Sequence, residues 1–188
     1  MTVTLPTTDL VDTPEWSIRP EQPIDLDLIH DLHREAFHRR DEAELVDAIR
    51  SGPDFLPELS LVAATRDGSV LGHILISRVS FHPDGDEQAG HTVLALAPLA
   101  VLPPYQGHGI GSALMRDALS IADARPEPFV AVLGSPPFYA RFGFEPASDR
   151  DIHGPYDEAG AAFQVRPRPG LTELPAGMVV YPPKFEGV

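Results

Sequence analysis

Residues 93–111 read VLALAPLAVLPPYQGHGIG, and this stretch decides the predicted fold. An apolar strand over residues 91–101 leads into a glycine-rich turn, and apolar spacing then predicts a helix over about residues 107–124. The turn's glycines allow backbone conformations and close approaches that a Cβ would block. The first N–H groups of a helix have no partner within it, and the helix dipole adds partial positive charge there. The segment therefore predicts an anion-binding site, most often for phosphate.

Pro98 adds a second signal within the same strand. The strand is apolar on both faces, which is typical of a central strand, whereas proline is expected only at an edge or a bulge. A bulge near Pro98 that separates this strand from the next one, residues 129–133, reconciles the two observations. Such a gap leaves backbone N–H and C=O groups unpaired and open to an extended ligand that carries amides.

Coenzyme A has this form, with amides along its pantetheine arm and a pyrophosphate at the far end. Its amides are expected to pair with the strand residues Leu99, Ala100 and Val101. Its pyrophosphate is expected to lie on the backbone N–H groups of the turn and helix start: Gln106, Gly107, His108, Gly109, Ile110, Gly111 and Ser112.

Composition narrows the class of protein. The 188 residues, 43% of them hydrophobic, suffice for one domain with a real core. The formal net charge of −14 argues against a nucleic-acid or anionic-membrane surface. The absence of cysteine excludes disulfides, thiolate metal sites and an acyl-cysteine intermediate. With no secretion signal and no apolar run of membrane-spanning length, we expect a cytoplasmic protein.

The remaining pattern predicts an α/β domain. Two helices, the first over residues 24–37, precede a hairpin that Asp67-Gly68 marks between strands 59–66 and 70–81. A short helix that stops at Gly143 follows the strand 129–133. Residues 145–160 are expected to be mostly loop, and two late strands are predicted at 163–165 and 178–181.

The segment LAVLPPYQGHGIGSALM resembles the acetyl-CoA signature of the GNAT superfamily of N-acetyltransferases. That signature is Gln/Arg-x-x-Gly-x-Gly/Ala after a strand, and Gln106, Gly109 and Gly111 match it. A second block, FYARFGF at residues 138–144, resembles the family's Phe-Tyr-x-x-x-Gly-Phe block. The resemblance covers roughly residues 16–146.

The resemblance implies an α/β (α+β) fold of three layers. A central mixed, mostly antiparallel sheet with splayed central strands would carry helices on both faces. The domain arrangement expected from this is a flexible tail over residues 1–13, an acetyl-CoA-binding domain over 14–146, and an extension over 147–188 packed on the same domain.

The resemblance also implies the reaction, in which an acetyl group passes from acetyl-CoA to a primary amine of a small molecule or a protein. Tyr139 would stand near the sulfur as the general acid. The family often has Asn at the end of the 129–133 strand, where this chain has Gly134 and Ser135. Ser135 is a candidate replacement contact, and it also suits the cap of the following helix. Without cysteine, direct attack in a ternary complex is favoured over a ping-pong route.

The identity of the general base stays open. Neither strand beside the expected cofactor carries a carboxylate, so the candidates are Glu35 and His38 near the end of the first helix and His73 on the hairpin. His73 shares a strand face with Leu75, which also suits a histidine that is buried in the core with its hydrogen bonds made. Transfer of the proton through water needs no base from the protein.

No metal site is predicted. Leu28, Leu32 and Ala36 define the expected buried stripe of the first helix, so His30 and His33 are expected to face solvent. The chain also lacks a His-Glu-x-x-His motif.

Two other functions compete with an enzyme. A non-catalytic acyl-CoA-binding or regulatory module would share the fold and the predicted anion-binding cradle of residues 106–112. A nucleotide-binding domain fits poorly, because the P-loop lysine and the acidic residue of the Rossmann pattern are both missing.

The acceptor is expected to bind between about Phe37 to Arg40 and the C-terminal segment. The oligomeric state, including a homodimer, stays open.

Overall fold

The computed structural model describes residues 13–86 and 90–185. The predicted flexible tail, residues 1–13, lies outside the described residues except for Thr13. The described part holds nine strands and four α-helices. In chain order they are β1 Trp16–Pro20, α1 Leu26–Phe37, α2 Asp41–Arg50, β2 Ser60–Thr65, β3 Val70–Pro83, β4 His91–Val101, α3 Ile110–Asp123, β5 Phe129–Leu133, α4 Pro136–Tyr139, β6 Glu145–Pro146, β7 Ile152–His153, β8 Phe163–Pro167 and β9 Gly177–Val180.

The long strand β3 organises the sheet. Its first half pairs with β2 across the predicted hairpin, its second half pairs with β9, and β4 lies along its other edge. The main path runs β1-β2-β3-β4-β5-β8-β6. Among the described pairs, β4–β5 and β7–β9 are parallel and the rest are antiparallel. The predicted mixed, mostly antiparallel sheet is confirmed.

Alternation along the strands divides the core into two layers. Leu61 and Ala63 of β2 pack in the cluster that contains the buried side of α3. Val62 and Ala64 point the other way, into the cluster that contains the buried sides of α1 and α2. Because successive side chains of a strand leave on opposite faces, both faces of the sheet are covered by helices, and the predicted three-layer fold is confirmed.

The predicted bulge at Pro98 is also confirmed. Ile76 of β3 pairs with Leu96, but Ile74 pairs with Leu99, so three steps along β4 oppose two along β3. The Ala97–Pro98 peptide bond is cis. Pairing of β4 with β5 covers only Leu94–Leu96 against Val130–Val132. The two central strands therefore part after Leu96, as the splayed arrangement requires.

Three predictions about local structure need correction. In α1 the buried face holds Ile29, Leu32 and His33, while Leu28 is 44% exposed, so the stripe is displaced by one position and His33 does not face solvent. The helix α3 begins at Ile110 rather than at residue 107, because the preceding glycines adopt left-handed backbone conformations. Residues 145–160 contain the short strands β6 and β7 between 3-10 turns.

Among the described residues, none of the helices has both the length and the apolar character needed to cross a bilayer.

Candidate functional site

The gap between β4 and β5 opens into a cavity of about 800 Å³. One end of its lining comes from β4, the glycine turn, the start of α3, the end of β5 and α4. The other end comes from the α1–α2 region and the C-terminal segment. A cavity of this size suits an organic ligand.

The free edge of β4 faces this gap. The Leu102 N–H donates to the Leu71 carbonyl (2.9 Å), which places Leu102 and Ala100 among the residues that bond to β3. In an antiparallel pair the alternate residues point their N–H and C=O away, so those of Leu99 and Val101 point toward the gap. Leu99 and Val101 line the cavity and Ala100 does not. Gln106 Nε2 donates to the Val101 carbonyl (3.0 Å), so that carbonyl is available to a donor on this side.

The glycine turn leads into the start of α3. Gly107 and Gly109 have φ of 79° and 86°, and a Cβ on either would meet nothing within 4 Å. The first bond of the helix runs from the Ala113 N–H to the Gly109 carbonyl (3.0 Å). The helix therefore leaves its earlier N–H groups, those of residues 110–112, for an anion. Residues 106, 107 and 109–112 line the cavity.

His108 is the one member of the predicted cradle whose side chain stays out of the lining. It is exposed, and its Nδ1 lies 2.9 Å from the Gln106 carbonyl. The His108 side chain therefore contacts the turn itself and not the cavity.

Arg141 is a residue at this end that was not among the predicted site residues. Its guanidinium lies over the Phe138 ring (4.6 Å to the centroid), and its Nη2 is 3.5 Å from Ser112 Oγ at the start of α3. It lines the cavity, and within the described residues it forms no ion pair. The arginine thus adds a free positive charge to the N–H groups of α3. Its position in the FYARFGF block was the available signal.

Tyr139 lies in the cavity lining beside the end of β5. It is 8% exposed, and its ring makes edge-to-face contacts with Phe138 and Phe144. Burial raises the pKa of the Tyr139 phenol to about 12. The hydroxyl is therefore protonated at neutral pH and can donate its proton.

Gly134 gives the ring of Tyr139 its room. A Cβ at position 134 would stand 2.4 Å from Tyr139 Cε2, closer than any real Cβ contact. A larger residue there would meet the tyrosine ring. Ser135 occupies the N-cap position of α4 and lines the cavity, but its side chain makes no capping hydrogen bond.

The structure does not bring the three candidate bases into the cavity. Glu35 and His38 are exposed at the end of α1, and His73 is buried in the sheet. None of them is part of the lining.

His73 belongs instead to a buried chain of polar groups. Ser60 Oγ donates to Glu21 Oε2 (2.5 Å) and lies 2.9 Å from His73 Nε2, while His73 Nδ1 lies 2.8 Å from His33 Nε2. Arg50 also binds Glu21 (2.7 Å). If His73 Nε2–H donates to Ser60, the His33 Nε2–H donates to His73, and His33 Nδ1 is left as an acceptor. That atom has no partner in the described structure.

The charges of this chain follow from burial. Burial lowers the pKa of His33, and the neighbouring His73 lowers it further. Burial also lowers the pKa of His73, against the opposing effect of Glu21. For Glu21 burial acts upward, but hydrogen bonds with His73, Arg50 and Ser60 outweigh it and hold its pKa at about 2. Both histidines are therefore neutral at neutral pH, and one hydrogen bond joins them inside the core.

The opposite end of the cavity carries aromatic rings and one ion pair. Its lining residues are Phe37, Arg39, Glu42, Leu45, Tyr156, Tyr181 and Phe185. Both chain segments between which the acceptor is expected, about Phe37 to Arg40 and the C-terminal segment, contribute to this lining, and the acceptor position itself stays a prediction. Sequence reasoning missed Glu42; its place three residues before Leu45 on the buried face of an amphipathic helix was the available signal.

Within the described part of the chain, no cluster of three or more His, Asp or Glu side chains could hold a metal ion.

The chain is similar to known proteins over most of its length. The model of the acetyltransferase (GNAT) family matches residues 26–144. The uncharacterized N-acetyltransferase YjhQ of Escherichia coli K12 is 38% identical over 129 residues, which are 68% of this chain and 69% of YjhQ. The uncharacterized N-acetyltransferase YhbS of the same strain is 35% identical over 148 residues, 79% of this chain and 84% of YhbS.

Two solved structures show the same architecture with a ligand. Escherichia coli YhbS in complex with CoA superposes with a TM-score of 0.76 at 29% identity, covering 93% of this chain and 94% of that one. A GNAT acetyltransferase from Brucella melitensis in complex with acetyl-CoA superposes with a TM-score of 0.71 at 31% identity, covering 93% and 100%. With the family model matching more than half of its residues, this chain belongs to the acetyltransferase (GNAT) family.

Proposed function

We propose that the protein transfers the acetyl group of acetyl-CoA to a primary amine by direct attack in a ternary complex. The observation that carries the proposal is that one cavity contains the free edge of β4, the start of α3 and the Tyr139 side chain. Family membership and the relatives' complexes with CoA and acetyl-CoA support the choice of cofactor.

The residues present fit that cofactor. The outward N–H and C=O groups of Leu99 and Val101 can pair with the pantetheine amides as a neighbouring strand would. The Val101 carbonyl already accepts from Gln106, and its second lone pair can accept from an amide. The N–H groups that precede the first bond of α3, together with Arg141, suit the pyrophosphate.

The chemistry divides between the ligand and the protein. Acetyl-CoA supplies a thioester, whose carbonyl carbon bonds to the amine nitrogen as the C–S bond breaks, and the sulfur leaves as a thiol. Tyr139 donates the proton that the sulfur takes up and regains one from solvent. The amine loses one proton to water, since Glu35, His38 and His73 lie outside the lining.

Thiol release with a panel of primary amines tests the proposal. We expect turnover by the wild-type protein and a fall in kcat of about 10²–10⁴ for Tyr139→Phe, the range for a general acid. The dissociation constant of CoA should stay unchanged, because the substitution removes only the hydroxyl. Saturable CoA binding without turnover of any amine would instead support the non-catalytic acyl-CoA-binding module. An unchanged kcat in Tyr139→Phe would remove this residue from the mechanism.

A further inference from the structure

The end of the cavity away from the glycine turn is built from two distant parts of the chain. Phe37, Arg39, Glu42 and Leu45 come from the α1–α2 region, and Tyr156, Tyr181 and Phe185 come from the C-terminal segment. None of these residues belongs to the surfaces that suit the pantetheine or the pyrophosphate. This end is therefore the space left for the acceptor, a step that rests on the proposed function.

Aromatic rings dominate this end. The Tyr156 and Tyr181 ring centroids are 5.1 Å apart, and those of Tyr181 and Phe185 are also 5.1 Å apart. Tyr156 donates its hydroxyl proton to the Phe185 carbonyl (3.3 Å), which fixes the cluster. Phe37 lines the cavity from the end of α1. Packed aromatic faces favour an apolar or aromatic body and attract a cation through their electron-rich faces.

Two carboxylates and one arginine carry the charge at and beside this end. Arg39 binds Glu42 Oε1 through Nε (2.8 Å) and lies 3.7 Å from Asp41. One guanidinium therefore faces two carboxylates. Glu42 and Arg39 are the charged side chains that line this end, and Arg39 is already neutralised. An anionic acceptor would find no free positive charge here, whereas a cationic one would find the carboxylate of Glu42 in the lining.

Glu42 has capacity for a further donor. The residue is 2% exposed, and its Oε2 is buried with no hydrogen-bond partner in the described structure. Leaving a buried acceptor unpaired is costly, more so when it is charged. An ammonium that enters with the acceptor would donate to Oε2 and remove this cost.

We propose that the acceptor is a cationic primary amine with an aromatic or apolar body and no acidic group, and that Glu42 binds its ammonium while Phe37, Tyr156, Tyr181 and Phe185 hold the body. Glu42 acts when the acceptor binds, before the acetyl transfer, because it selects the ammonium form of the amine from solution. The bound ammonium first releases one proton to water, which gives the neutral amine that attacks the thioester. The nitrogen releases its second proton to water as the amide forms.

The test compares two amines that differ by one carboxylate, 2-phenylethylamine and L-phenylalanine. We expect kcat/KM for 2-phenylethylamine to exceed that for L-phenylalanine by at least about tenfold, and Glu42→Gln to raise the KM for 2-phenylethylamine by a similar factor with a smaller effect on kcat. Calorimetry of 2-phenylethylamine with the CoA-loaded protein should show the same loss of affinity in Glu42→Gln. The matched control is Glu44→Gln, which removes an exposed carboxylate of the same helix outside the lining.

The outcomes separate this inference from the proposed function. Equal or better turnover of L-phenylalanine by the wild-type protein overturns the acceptor class while the acetyltransferase function stands, and this measurement needs no variant. Unchanged binding of 2-phenylethylamine by folded Glu42→Gln overturns the role of Glu42. Absence of turnover with every amine overturns the proposed function, but the calorimetry still decides whether the ammonium binds at Glu42.

Discussion

Replacing Gly134 with alanine tests how closely the end of β5 is fitted to Tyr139. The new Cβ would stand 2.4 Å from Tyr139 Cε2. Two carbons in contact lie about 3.5 Å apart, so the ring must move by about 1.1 Å. Overpacking of this kind destabilises a protein by about 1–3 kcal/mol. A displacement of about 1 Å in a catalytic group lowers the rate by about 10². Gly134 itself has no left-handed backbone conformation, so the effect is steric.

The assays are urea unfolding and steady-state kinetics, with CoA affinity measured by calorimetry. We expect kcat to fall by about 10² in Gly134→Ala while CoA affinity changes little, since the new Cβ meets the Tyr139 ring and the substitution leaves the glycine turn and the N–H groups of α3 unchanged. In a Tyr139→Ala background the ring is gone, so adding Gly134→Ala should cost almost no further stability. Wild-type stability and turnover in the single variant would refute the reasoning. So would a destabilisation that persists undiminished in the double variant.

Three further predictions follow from the cradle and the histidine pair. Gly109→Val should lower CoA affinity at least about 100-fold by calorimetry, because it strains a left-handed backbone and places a branched side chain in the cavity. Arg141→Met should lower CoA affinity by about tenfold or more, the loss of one charge-assisted hydrogen bond, with a weaker salt dependence. Burial depresses the pKa of His33 and of His73, so below about pH 6.5 the unfolded chain binds protons that the folded chain does not. The free energy of unfolding should therefore fall as the pH drops from 7 to 5, by up to about 2.7 kcal/mol per pH unit for the two histidines together. His33→Leu should reduce that slope.

Each of these has a control or a contradicting result. Gly160 also has a left-handed φ and open space around it but lies outside the lining, so Gly160→Val should leave CoA affinity intact. Arg116 is exposed on α3 outside the lining, and Arg116→Met should behave like the wild type. Equal losses in Arg116→Met and Arg141→Met would point to general charge. An unfolding free energy with the same pH slope in the wild type and His33→Leu would contradict the account of the histidine pair.

Much of the cavity end at the glycine turn could be predicted from sequence, because the signals for it are local. The glycine turn, the start of α3 and Pro98 lie within a few residues of one another, and each restricts the backbone through its own covalent structure. Asp67-Gly68 marked the hairpin for the same reason. The FYARFGF block located Tyr139, but the need for glycine at position 134 became visible only once the ring was placed against it.

The sequence by itself determined the fold class, the bulge, the glycine turn before α3 and the family, since periodicity and turn chemistry act between near neighbours along the chain. Only the tertiary structure decided that α1 turns His33 inward, because a buried histidine is tolerable only where His73 receives its hydrogen bond, forty residues away. The same holds for the acceptor end. Glu42 and Tyr181 lie far apart in sequence and line one cavity through the pairing of β9 with β3, a contact that no local pattern encodes.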